Sequence, residues 1–407
     1  VAGTGTTDGL TQRWDDVGSH GSVDLGAVQL WVAELPLVEP VVTAGTVHGH
    51  RPVVFVQVTG QTKGEVVEGW GECAALGDAT YDREDVSVSF RVLEETLVPA
   101  LFEMAGESAR LPRPTALGGV RQAAPDAPLA FAALEMAVAD VHLRAEHRSL
   151  AAVLGVEHAS VELGAVVGMY PTIGALVARV RELADAGFSR VKMKIGPGWD
   201  LDPVDAVSRA LPGLRLQVDA NGSYAEMDAD HLLGLDRFDL LCIEQPFARA
   251  DLAAHARLAD RISTPVCLDE SVGSRADVET ALAMGACSVI CVKPARLGGL
   301  GPALEVIAGC GASGVPLWMG GMFETSYARG VNTTVAALPG FAWPGDLSPA
   351  TTYLREDVGS GLRLSRTGPA RSLSASPPQG AGMGPPPDRE DLVRRAVRHR
   401  AMAAPRR

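Results

Sequence analysis

Short apolar runs rich in β-branched residues recur through the second half of this chain about every 25 residues, and one after another they end in a charged residue. RVKMKI, RLQVDAN, LLCIEQPF, TPVCLDES and SVICVKPA are such runs, with VELGAVVG before them, VPLWMGG after them and FAWPGDL a weaker eighth. Helical periodicity separates them, as in TIGALVARVRELADAG, LAAHARLADRI, RADVETALAMGA and GPALEVIAGCGASG. Strands apolar on both faces, alternating with helices, predict a parallel α/β sheet. Such repeats build either a closed (β/α)-barrel or an open doubly wound sheet. Charged residues at successive strand tips favour the barrel, whose tips converge on one mouth.

Ahead of this body, DLGAVQLWVAEL, RPVVFVQVTG and GEVVEGWGECA read as strands, and the stretches near Val86–Phe102 and from Pro128 read as helices. This is an α+β unit. Residues 1–22, rich in Gly, Ser and Thr, are expected to form a disordered leader, and residues 366–407, rich in Pro, Gly and Arg, a disordered tail with at most a short helix near Leu392. A formal net charge of −13 argues against nucleic acid as a partner, because phosphate binding needs a cationic footprint. No apolar run reaches the roughly 18 residues a membrane helix needs. The six cysteines show no CxxC spacing, so reduced core thiols, no membrane association and a cytoplasmic location are expected.

The chemistry lies at the strand tips. Asp219, Glu244 and Asp269 stand 25 residues apart, one βα repeat each, so three consecutive strands deliver one carboxylate each. An all-oxygen anionic set suits a hard cation, Mg²⁺ first and Mn²⁺ second. Lys192 and Lys194 alternate in KMK and therefore share a strand face, where mutual repulsion beside a divalent ion is expected to lower the pKa of at least one amine. Lys293 follows Asp269 by 24 residues, on the next strand, and order around a closed barrel sets it across from Lys194. Two amines flanking a bound acid, beside a cation that neutralises a dianion, suit proton abstraction α to a carboxylate.

These residues carry a resemblance. With VKMKIGPGWD, LQVDANGSY, IEQPF, TPVCLDES, VKPARLGG, GGMFETSYARGVN and PGDLSPA, the chain resembles the enolase superfamily from about Leu35 to Leu364. Within it, the chain is similar to the o-succinylbenzoate synthase and N-succinylamino acid racemase group, which is muconate lactonising enzyme-like. The resemblance implies a modified TIM-type barrel of seven to eight βα units with an N-terminal α+β capping domain. The division it implies is capping domain 23–158, barrel 159–352 and a segment 353–365 returning to the capping domain. It implies that Lys194 is the base, that Lys192 helps hold the substrate carboxylate, and that Lys293 steadies the enolate or acts as second acid/base. Asp219, Glu244 and Asp269 would bind Mg²⁺. Asn221, Gly320, Gly321, Met322 and Arg296 would contact substrate or tune Lys293, with Glu270 and Glu324 close behind. A loop around Thr43–Arg51 would close over the variable part of the substrate.

The reaction implied is dehydration of 2-succinyl-6-hydroxy-2,4-cyclohexadiene-1-carboxylate to o-succinylbenzoate in menaquinone synthesis, by a homo-oligomer acting on a small carboxylate. The alternative is an N-succinylamino acid racemase or related epimerase, and more remotely a non-catalytic binding protein on the same scaffold. Three places depart from the group. Val166 replaces a serine usual on the first barrel strand, Val41 and Val42 follow Pro40 where an aromatic is usual, and the C-terminus dissolves into the Pro/Gly/Arg tail. The last departure predicts a capping domain without its final piece.

Overall fold

A computed structural model describes residues 8–42, 47–79, 81–368 and 371–404 of the protein. The chain opens its first sheet with three antiparallel strands, β1 (Asp24–Val42), β2 (Val47–Thr62) and β3 (Glu65–Cys73). Alternation divides β1 between two cores: Val28, Leu30 and Val32 pack with the helices of the same unit, whereas Trp31, Ala33 and Leu35 join the core shared with the barrel. The helix Pro128–Ala145 is apolar nearly all round and buried along most of its length, so it sits between the two units. It lies directly on β3. A Cβ at Gly71 would stand 1.9 Å from the Ala133 carbonyl oxygen, and one at Gly69 2.4 Å from that of Ala137, so GWGEC has glycines where backbone meets backbone.

The body is a curled parallel sheet in the order β11-β10-β9-β8-β7-β6-β5. A two-residue strand, β4 (Val161–Glu162), precedes β5 (Gly164–Val167), β6 (Arg190–Lys194), β7 (Arg215–Asp219), β8 (Ile243–Glu244), β9 (Val266–Leu268), β10 (Val289–Val292) and β11 (Leu317–Met319). The weak eighth run forms no regular strand. It staples the gap instead: Phe341 bridges to Leu317 of β11, and Gly345 bridges to Leu163 beside β5, with the Gly164 amide donating to the Gly345 carbonyl at 2.8 Å. The barrel therefore closes through single bridges.

Both expected disordered segments hold ordered structure. Residues 8–15 form a helix whose Leu10 and Trp14, with Val17 beyond it, are buried in the shared core. Their spacing is a helical stripe that the Gly/Ser/Thr background hid. At the other end, β12 (Arg363–Thr367) pairs with β13 (Ser372–Ser376), which pairs with β4. A short helix, Arg389–Arg395, buries Leu392, and β14 (Ala396–Ala403) then runs antiparallel to β1 from Ala33 opposite Ala396 to Ala27 opposite Ala403. His399 stacks on Trp31 at 4.9 Å, and Arg398 and Arg400 pair with Glu94 at 3.0 and 3.1 Å. The first sheet thus has its final strand, contrary to the expectation that the altered C-terminus leaves the capping domain without its last piece. The tail buries little apolar surface of its own and is held by the open edge of β1. Residues 354–355 also reach β1, the Arg355 amide donating to the Pro36 carbonyl at 2.9 Å. Among the described residues no helix is long and apolar enough to cross a membrane, and all six cysteines are free and buried.

Candidate active site

Asp219 closes β7, Glu244 closes β8 and Asp269 follows β9, and all three are buried. Their counter-charges arrive from neighbouring strands. Lys192 on β6 lies 3.1 Å from Asp219 Oδ2, 2.9 Å from Glu244 Oε2 and 2.8 Å from Asp346 Oδ2, with its ammonium over the Trp318 ring. Lys194 donates to Asp219 Oδ2 and to Asn221 Oδ1, both at 2.6 Å. Lys293 donates to Asp269 Oδ2 at 2.7 Å and to the Tyr81 hydroxyl at 3.0 Å, and that hydroxyl donates to the same Asp269 oxygen at 3.2 Å. Lys192 and Lys194 do share the inner face, with Met193 buried in the core outside it.

The electrostatics follow from this packing. Burial opposes the Lys192 charge, but Asp346, Glu244 and Asp219 outweigh it and hold the ammonium well above its ordinary range. Repulsion from neighbouring amines, expected to lower a lysine here, is the smaller effect for Lys192 because three acids surround it. Lys293 is likewise held up: burial works against its charge, and the groups around it, Tyr81 first, overcome that. Burial also works against an ionised Asp219, yet Lys194 and Lys192 keep it well below the carboxylate range. Glu244 goes the other way, pushed up to about 7 by burial and by Asp219.

The donor set fits a divalent cation. Glu244 Oε1 is buried with no hydrogen-bond partner, an expensive state for a carboxylate oxygen unless a cation meets it. Donor atoms of Glu244, Asp269 and Cys291 lie within 4.8 Å of one another, and Lys192 bridges the same Glu244 to Asp219. The strand tips are set by backbone as well as charge. Asn221, Gln245 and Phe323 have φ of 46°, 39° and 56°, left-handed conformations directly past β7, β8 and Met322. The buried Gln245 side chain secures one such turn, accepting from the Asp269 amide at 3.0 Å and donating to the Phe247 carbonyl at 3.0 Å.

A cavity of about 580 Å³ lies between the barrel mouth and the first sheet. Lys192, Lys194, Lys293, Asn221, Glu270 and Met322 are on its wall, as is Gly321. Three other expected residues lie behind the wall. A Cβ on Gly320 would come 2.5 Å from Cys291 Sγ and 2.6 Å from Lys293 Cε, so its lack of a side chain makes room for that lysine. Arg296 does not reach the cavity: its guanidinium abuts Asp269 Oδ1 and donates to the Val272 and Cys291 carbonyls at 2.8 and 2.9 Å. Glu324 pairs with Arg329 at 2.8 Å and accepts from Asn332 at 2.9 Å.

Val166, Pro40 and Val42 do line the cavity, and aromatics come from elsewhere, from Tyr81, Tyr170 and Tyr353. Of the expected closing loop, residues 43–46 lie outside the described residues; Arg51 is buried and donates to the Phe323 carbonyl at 3.1 Å. Sequence reasoning missed Tyr81 and Asp346. Asp346 had a signal, since it ends the weak eighth run in PGDLSP, and it pairs with Arg190 at 2.6 Å as well as with Lys192.

A family profile described as Enolase C-terminal domain-like matches residues 175–391, and one described as Mandelate racemase / muconate lactonizing enzyme, N-terminal domain matches residues 27–155. The chain is 39% identical over 374 residues to an N-succinylamino acid racemase of Amycolatopsis sp, covering 91% of this chain and 97% of that one. It is also 39% identical over 292 residues to an o-succinylbenzoate synthase of Geobacillus kaustophilus, covering 72% and 76%. The crystal structure of an enolase superfamily member from Listeria innocua superposes with a TM-score of 0.85 at 30% identity, covering 94% of this chain and all of that one, 100%. With matches that span both units and a site built at the barrel's strand tips, the chain belongs to the enolase superfamily, as an enzyme of the mandelate racemase and muconate lactonizing enzyme family.

Proposed function

We propose that the protein is a Mg²⁺-dependent o-succinylbenzoate synthase that dehydrates 2-succinyl-6-hydroxy-2,4-cyclohexadiene-1-carboxylate. The observation that carries this reading is the pair Lys194 and Lys293, both on the wall of one cavity, each hydrogen-bonded to a different carboxylate of the acidic set. Asp219, Glu244 and Asp269 would hold the ion, which when bound neutralises charge gathering on the substrate carboxylate. Lys192, fixed by three acids, presents a positive charge beneath that carboxylate. Lys194, in its neutral form, takes the α-proton. As the carbon–oxygen bond breaks, that proton leaves with the hydroxyl as water, and the electron pair of the C–H bond completes the aromatic ring. Lys293 faces the other side as a fixed cation.

A second reading, N-succinylamino acid racemase, is favoured by the match to the Amycolatopsis relative over nearly its whole length and by the presence of an amine on each face. Here Lys293 would return a proton to the face opposite Lys194. Incubating the protein and Mg²⁺ with the cyclohexadiene, and separately with N-succinylamino acids in D₂O, separates the two. Aromatic product without α-deuterium exchange supports the synthase alone, exchange with racemisation and no aromatic product replaces it with the racemase, and both together give a bifunctional enzyme. Lys194→Ala is expected to lower turnover by about 10²–10⁴-fold with the fold retained. Activity within about tenfold of the parent, roughly 1.4 kcal/mol of barrier, removes Lys194 from the base role.

A further inference from the structure

Six buried cysteines sit in three environments. Cys287 and Cys310 pack in the large shared core and Cys73 in that of the first unit, while Cys242, Cys267 and Cys291 lie with Trp318 inside the barrel. Among the described residues Cys291 is the thiol that meets the acids: its Sγ and one oxygen each of Glu244 and Asp269 lie within 4.8 Å of one another, all three residues buried. It lies on β10 two residues before Lys293 and so faces the same interior, and Gly320, just past β11, lies close against its sulfur, where a Cβ would stand 2.5 Å away. The second observation is independent of the thiol. Glu244 Oε1 is a fully buried carboxylate oxygen with no donor.

We infer that Glu244, Asp269 and Cys291 form a second cation position, deeper in the barrel than the oxygen-only set, that takes a thiophilic divalent ion such as Cd²⁺ or Zn²⁺. This deepens the functional reading and rests on its assignment of Glu244 and Asp269 as ligands. The chemistry divides the two positions. Mg²⁺ demands oxygen and octahedral geometry and gains nothing from sulfur, whereas Zn²⁺ and its heavier congener accept a mixed O,O,S set in tetrahedral geometry. Bonds of about 2.0–2.3 Å place tetrahedral donors roughly 3.5 Å apart, so the three side chains close in by about an ångström. The ion replaces the Lys293 ammonium at Asp269, and the thiol loses its proton on coordination. Because two ligands are shared, the positions exclude each other, and a thiophilic ion competes with Mg²⁺.

The test titrates chelator-stripped protein with Cd²⁺, following heat by calorimetry and sulfur-to-cadmium charge transfer by near-ultraviolet difference absorbance. One equivalent binds and the band appears. Cys291→Ser loses the band and binds Cd²⁺ at least tenfold more weakly, whereas Asp219→Asn keeps the band. The cadmium-113 chemical shift of the native protein gives a second readout that needs no variant, and it falls in the range for a sulfur ligand. Cd²⁺ binding without the band, a band that survives Cys291→Ser, or a band lost in Asp219→Asn overturns the inference while leaving Mg²⁺ binding, measured in the same calorimeter, to stand. Failure of both ions to bind overturns the metal reading itself.

Discussion

The Tyr81 hydroxyl joins two side chains of the proposed site, Lys293 and Asp269, and it comes from the first unit rather than the barrel. A hydrogen bond to a charged group contributes about 1.5–3 kcal/mol, so Tyr81→Phe is expected to lower kcat/KM by about ten- to a hundredfold. Steady-state kinetics on the folded variant check this; an unchanged value makes the hydroxyl incidental. The clustering of the acids and lysines is legible in the sequence because strand-tip position brings them to one mouth. Tyr81 is not. It sits in irregular chain 188 residues from Asp269, and nothing local marks a residue whose partner is supplied by the docking of another unit. Gly320, expected to contact substrate, lies behind the cavity wall, where its missing side chain clears space for Cys291 and Lys293.

Among elements, the βα repeats are readable because period and polarity agree along each of them. The C-terminal segment is not, because its order comes from a partner rather than from its own composition. Leu392 is the one fully buried apolar side chain of the helix Arg389–Arg395 that leads into β14. Leu392→Ala is expected to cost about 2–5 kcal/mol, the range for a buried leucine, and to expose the arginine-rich strand to trypsin. Calorimetry and limited proteolysis check this together; no change in either means the segment does not contribute to stability. The glycines of VKPARLGG have an element-scale role too. A Cβ at Gly298 would strike Arg121 and one at Gly299 would strike Glu135, so the pair is the seat on which the first unit docks.

Across the whole molecule, carboxylates of the first unit reach into amide groups at the starts of barrel helices. Glu135 accepts from Leu300 and Gly301 at 2.5 and 3.2 Å, and Glu72 accepts from the Thr325 amide at 2.9 Å. Burial, opposed by these hydrogen bonds, pushes each up to about 7 from an ordinary value of 4.5. Between those values the folded state keeps a proton that the unfolded chain has lost, so this contribution to stability is full below pH 4.5 and falls as pH rises to about 7. Glu135→Gln does not titrate. The stability advantage of the parent over this variant is therefore expected to shrink between pH 5 and 8, by at most about 3 kcal/mol; melting curves across that range check it, and a constant gap removes Glu135 as the titrating group. The pairing of β1 with β14 has a consequence for synthesis. β1 leaves the ribosome long before β14, the strand that covers its edge, although Ala27 and Ala403 end side by side. Until β14 follows, a nascent chain carries a long open edge, so it is during translation that this edge is most exposed to pairing with neighbouring chains on the same message.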